Sequence, residues 1–84
     1  MTAHTDLPLG GLSEGEMAAL IYRIADELST RGTRDAFAEL LHVLPYIGER
    51  VGDAARILAA SDSWSQVAQV SGTSKQAAWE RWRT

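Results

Sequence analysis

The 84 residues predict an all-α protein of four to five short helices. Three observations carry this. Apolar residues recur at the 3.6-residue helical period along most of the chain, while alternation of useful length for a β-strand occurs nowhere. Ser or Thr stands just ahead of several of these runs, three times with Glu or Gln three positions later, the pattern of a capped helix start. Glycine-containing breaks separate the runs.

Residues 1–12 contain Pro8 and the Gly10-Gly11 pair with no sustained period, and are expected to form a flexible N-terminal arm. Ser13 and Glu16 have capping-box spacing, and Met17, Leu20, Ile21, Ile24 and Leu28 follow at helical period. A first helix is therefore predicted over about 14–29. The Ser29-Thr30-Arg31-Gly32 cluster ends it, Thr33 can cap the next helix, and Phe37, Leu40, Leu41 and Leu44 form a second apolar stripe ending near Pro45.

Pro45 either separates two helices or, because proline suits a first helical turn, opens a third one; the second is expected. Ile47, Val51, Ala54, Ala55 and Leu58 would then face inward. Gly48 and Gly52, four apart, would either admit a closely crossing helix or mark an irregular start, with regular helix from about Arg50. Internal repeats and low-complexity tracts are absent from the sequence.

Composition limits the function classes. The chain is 45% hydrophobic and 23% charged, an ordinary globular balance for one small domain. With no Cys, disulfides, Cys-based zinc sites and thiol nucleophiles are excluded, and the composition fits a reducing cytoplasm. Neither a signal peptide nor a membrane span is expected, since no 18 apolar uncharged residues stand in a row. The formal charge of −3 is unevenly placed: residues 1–63 carry five Arg against ten Asp and Glu, whereas 64–84 carry Lys75, Arg81 and Arg83 against Glu80. The last quarter is the basic part.

That quarter is also the most informative. Ser63 and Gln66 repeat capping-box spacing, so a helix should begin near Trp64. Gly72 can adopt the left-handed conformation of a helix C-terminus. Thr73 or Ser74 then caps another helix, with Gln76 placed to reciprocate for Thr73. Two helices joined by three or four residues that include Gly have helix-turn-helix geometry.

Ala68, Gly72, Ser74, Ala78 and Trp82 match the pattern of bacterial helix-turn-helix regulators, which residues 62–84 therefore resemble. The stretch 73–83 looks like the recognition helix of small regulators from high-GC bacteria and, more distantly, like sigma-factor region 4. Ser71 and Thr73 depart from it, standing where the family commonly has apolar residues, and Trp82 is bulky for its position. The resemblance implies sequence-specific binding of double-stranded DNA by a cytoplasmic transcriptional regulator.

At 100° per residue, Ala78 and Trp82 share an inward face opposite Gln76 and Glu80, with Arg83 beside Gln76. Ser74 and Lys75 lie at the end that usually enters the major groove first. The candidate DNA-binding residues are Ser74, Lys75, Gln76, Trp79, Glu80 and Arg83. Gln76 has the bidentate amide suited to adenine, while Lys75 and Arg83 suit guanine or phosphate. Glu80 is either a cytosine reader or an intrahelical partner of Arg83 or Lys75. Trp64 and Trp82 read as core; Trp79 sits on the boundary, where it can cover the core, touch a base or sugar, or join a dimer interface.

Residues 13–84 are expected to form one helical domain, with scaffold and dimerisation helices over 13–61 and the helix-turn-helix over 62–84. The apolar surface of the first helix, extended by Tyr22, suggests a homodimer; a twofold pair would present recognition helices about 34 Å apart to an inverted repeat. Enzyme chemistry is not expected, because His4 and His42 lie far apart, phosphate-binding glycine motifs are missing, and the carboxylates fall on amphipathic helices. No cofactor or metal is predicted. The rival reading is a protein-interaction module that keeps the helix-turn-helix shape and uses it, with the acidic helices, to bind another protein such as a regulator or polymerase subunit. An architectural chromosome-binding role is weaker, because the basic charge is low.

Overall fold

The computed structural model describes residues 8–84, and these are helical: α1 (Glu14–Arg31), α2 (Arg34–Ser61), α3 (Trp64–Ser71) and α4 (Lys75–Trp82), preceded by a 3-10 turn at Leu9–Gly11. Among the described residues there is no strand. Of the arm expected over 1–12, residues 1–7, including His4, lie outside the described residues. The chain divides into two compact units, one ending at Leu41 and one running from His42 to Thr84.

In the first unit, α1 starts on the expected capping box. Glu16 N–H donates to Ser13 Oγ (3.1 Å) and Ser13 N–H donates to Glu16 Oε1 (2.8 Å), which satisfies two amide donors that the helix itself cannot. The helix ends at Gly32, whose φ of 69° lies in the left-handed region that glycine enters without a Cβ penalty. Thr33 Oγ1 then accepts from Ala36 N–H at 3.1 Å and opens α2. Ala36 is buried, but α1 buries none of its residues.

The expected interruption at Pro45 does not occur: α2 is continuous over 28 residues with Pro45 inside it. Proline removes one i→i−4 hydrogen bond and distorts the turn before it, yet it need not end a helix, and α2 runs through it although Tyr46, Ile47 and Gly48 directly after it are not strong helix formers. The irregular start considered around Gly48 is likewise absent. Gly48 faces open space, whereas a Cβ on Gly52 would stand 3.3 Å from the Arg56 guanidinium and 3.7 Å from the Trp82 ring. Only Gly52 marks a close approach.

In the second unit, Ala55 of α2, Val67 and Ala68 of α3 and Ala78 of α4 form the buried cluster, with Leu58, Ala59, Trp64 and Trp82 packed against it. The core placement expected for Trp64 and Trp82 holds. Of the α2 positions expected to face inward, Ala55 and Leu58 do so, but Val51 and Ala54 are exposed and Ile47 is 37% exposed. The helical period identifies a face; it does not say whether the chain supplies a partner for it.

Candidate functional site

The candidate site is the outer surface of α4, and its position follows from the two caps and the turn before it. Ser63 Oγ accepts from Gln66 N–H (3.1 Å) and starts α3. Gly72 (φ 74°, ψ 27°) terminates that helix, and Thr73 N–H reaches back to the carbonyl of Ala68 (3.1 Å), closing a Schellman turn. Ser74 Oγ accepts from Ala77 N–H (3.1 Å), which settles the expected cap on Ser74 rather than Thr73. Since Gln76 bonds elsewhere, its reciprocal bond to Thr73 is not formed.

Small side chains set how closely the two helices approach. Ala68 is 7% exposed and Ala78 fully enclosed, so α3 and α4 meet through methyl groups. With Ala78 and Trp82 turned inward, Lys75, Gln76, Glu80 and Arg83 are left exposed, as helical spacing predicts, and Trp79, which that spacing leaves on the boundary, is exposed too. Ser74 lies at the same end, its hydroxyl committed to the cap.

The exposed side chains form two i,i+4 pairs. Gln76 Nε2 donates to Glu80 Oε2 at 2.9 Å. The Arg83 guanidinium lies over the Trp79 ring, 4.7 Å from its centroid, within cation–π range. This corrects the partners expected for Glu80: it holds Gln76, not Arg83 or Lys75. One turn of helix separates Glu80 from Gln76, and the Trp79 face, also one turn away, takes Arg83 instead. Trp79 lies outside the core cluster and presents 41% of its surface.

Sequence reasoning did not anticipate the support behind α4. Arg56 of α2 donates through Nη1 to the carbonyl of Trp82 (2.9 Å) and through Nη2 to Asp53 Oδ1 (2.7 Å). Asp53 also pairs with Arg50 Nε (2.9 Å), whose guanidinium lies 4.7 Å from the Tyr46 ring centroid. A cation at a helix C-terminus satisfies a carbonyl with no partner in its own helix and complements the helix dipole. The hydrogen bond from Arg56, opposed by desolvation and aided by the charges of Arg50 and Arg56, holds the Asp53 carboxyl below its ordinary value. Arg56 and Trp82 are 26 positions apart, a separation at which spacing carries no signal.

Among the described residues no group of three His, Asp or Glu side chains could hold a metal ion, and no helix is long and apolar enough to cross a membrane. Comparison with protein-family models, curated proteins and solved structures gives no match to this chain.

Proposed function

We propose that this protein binds double-stranded DNA sequence-specifically as a homodimeric transcriptional regulator, with α3 and α4 as its helix-turn-helix and α4 as the recognition helix in the major groove. One observation carries the reading. A capped helix, held against α3 through Ala78 and Ala68, turns Lys75, Gln76, Glu80 and Arg83 outward together. Gln76 supplies amide donors and acceptors for an adenine edge, and Lys75 and Arg83 supply cations for guanine or phosphate. The bond between Gln76 and Glu80 fixes the amide before binding, and the Trp79 ring does the same for Arg83. The N-terminal amides of α4, beside Ser74, favour a phosphate oxygen.

A second reading, a protein-interaction module, rests on charge. Residues 1–63 carry twice as many acidic as basic side chains, and phosphate contacts supply much of DNA affinity. The deciding experiment is selection of fragmented host DNA by the purified protein, followed by sequencing and retesting across a salt series. A few fragments sharing an inverted repeat, bound less tightly as salt rises, are expected. Failure of the folded protein to enrich any fragment at low salt would overturn the DNA reading in favour of the protein-interaction module.

A further inference from the structure

The exposed face of α1 carries a pattern that the proposed function does not use. Glu14, Met17, Ile21, Ile24, Leu28 and Arg31 alternate three and four residues apart, the spacing of a coiled-coil seam. The stripe spans the whole helix, is apolar through its middle, and ends in an acid at one terminus and a base at the other. Ile21 and Ile24 expose 50% and 59% of their surfaces, Met17 and Leu28 are half-buried, and α1 has no fully buried residue. Ala18 and Ala25 flank the stripe on one side with methyl groups that keep the approach open. On the other side, Leu20 joins Leu9, Met17, Ile21 and Ile24 in lining an apolar groove of about 260 Å³.

We infer that this face pairs antiparallel with α1 of a second copy of the chain, in a register centred between Tyr22 and Arg23. In that register Met17 layers with Leu28 of the second copy and Ile21 with Ile24, while Glu14 meets Arg31 at both ends. Charge selects the direction. A parallel pair would set Glu14 against Glu14 and Arg31 against Arg31 and align the two helix dipoles, whereas the antiparallel pair opposes unlike charges and unlike helix ends. Arg31 binds Glu27 of its own helix through Nε (2.8 Å), leaving its two terminal nitrogens for the facing carboxylate. An apolar stripe that ends in opposite charges is complementary to its own reverse.

This inference gives the proposed homodimer its seam and rests on that dimer, but its test involves no DNA. The chain has no Cys, so the single variants Glu14→Cys and Arg31→Cys, both at exposed positions, report only on the pairing. The two positions are seventeen residues apart, about 26 Å along the helix at 1.5 Å per residue, too far for either variant to cross-link with itself in the antiparallel register. Under mild oxidation each variant alone should remain uncross-linked, and their mixture should give a disulfide-linked dimer. Cross-linking of either variant with itself, or no cross-link in the mixture, would overturn the register. A second measurement uses charge: Glu14→Arg and Arg31→Glu should each weaken self-association severalfold and, when mixed, associate preferentially with each other. Indifference of both to mixing would count equally against the pairing. Since DNA selection is scored separately, failure of the seam and failure of the DNA reading are distinguishable.

Discussion

At position 78 the side chain is one methyl group with no exposed surface, clustered with Ala55, Val67 and Ala68. Extra carbons there must push α4 away from α3 or force neighbouring side chains off their rotamers. Ala78→Leu is therefore expected to lower stability by about 1–3 kcal/mol, measured by urea unfolding. Gln76 is the opposite case, since its amide is exposed and bonded only within α4. Gln76→Ala should leave helix content unchanged in circular dichroism and relax base preference at one position of the selected site by about 1–3 kcal/mol. An unaltered preference would remove Gln76 from base recognition. Placement of Gln76 on the outer face was legible from 100° geometry; its bond to Glu80 depended on which of two i,i+4 neighbours each side chain met.

At the scale of elements, α4 is eight residues long, too short to be stable alone, and it depends on what holds its two ends. Its N-terminus is held locally by Ser74. Its C-terminus is held from α2 by Arg56, which Asp53 in turn fixes by accepting from it. The Asp53 carboxyl titrates below its ordinary value in the folded chain, so the unfolded chain binds the proton more readily. The stability that ionised Asp53 contributes is complete above its unfolded value, about pH 4, and is lost as pH falls through the lower folded value. Asp53→Asn should flatten this acid limb in thermal unfolding series below about pH 4 and leave the neutral-pH slope unchanged. A limb of unaltered shape would show that Arg56 does not depend on this carboxylate.

For the molecule as a whole, the buried hydrophobic residues among those described are Ala36, Ala55, Val67, Ala68 and Ala78, none larger than Val. Meanwhile Ile24, Phe37, Leu44, Ile57 and Val70 are each more than half exposed. Burial of large apolar side chains is the main favourable contribution to folding, and a chain of this size has little margin without it. Folding coupled to the proposed self-association would supply the missing burial, and the apolar face of α1 offers a surface for it. The midpoint of thermal unfolding is thus expected to rise with protein concentration, as for any chain stabilised by its own dimer. A midpoint independent of concentration over two decades would show that the monomer is stable alone and would count against the homodimer.

The sequence by itself determined the helical class, the caps at Ser13, Thr33 and Ser63, the break at Gly32, the left-handed stop at Gly72 and the outward face of α4, and it left the last cap open between Thr73 and Ser74. Each depends on residues within about four positions, where backbone geometry fixes which groups meet. Tertiary structure decided the rest: the passage of α2 through Pro45, the reach of Arg56 to the Trp82 carbonyl, and which apolar faces find a partner within the chain. Those outcomes compare a local cost, such as one lost hydrogen bond at Pro45, with packing against residues remote in sequence. Helical periodicity marks an apolar face without naming what covers it, so Ala55 and Val51, on one predicted face, end up buried and exposed respectively.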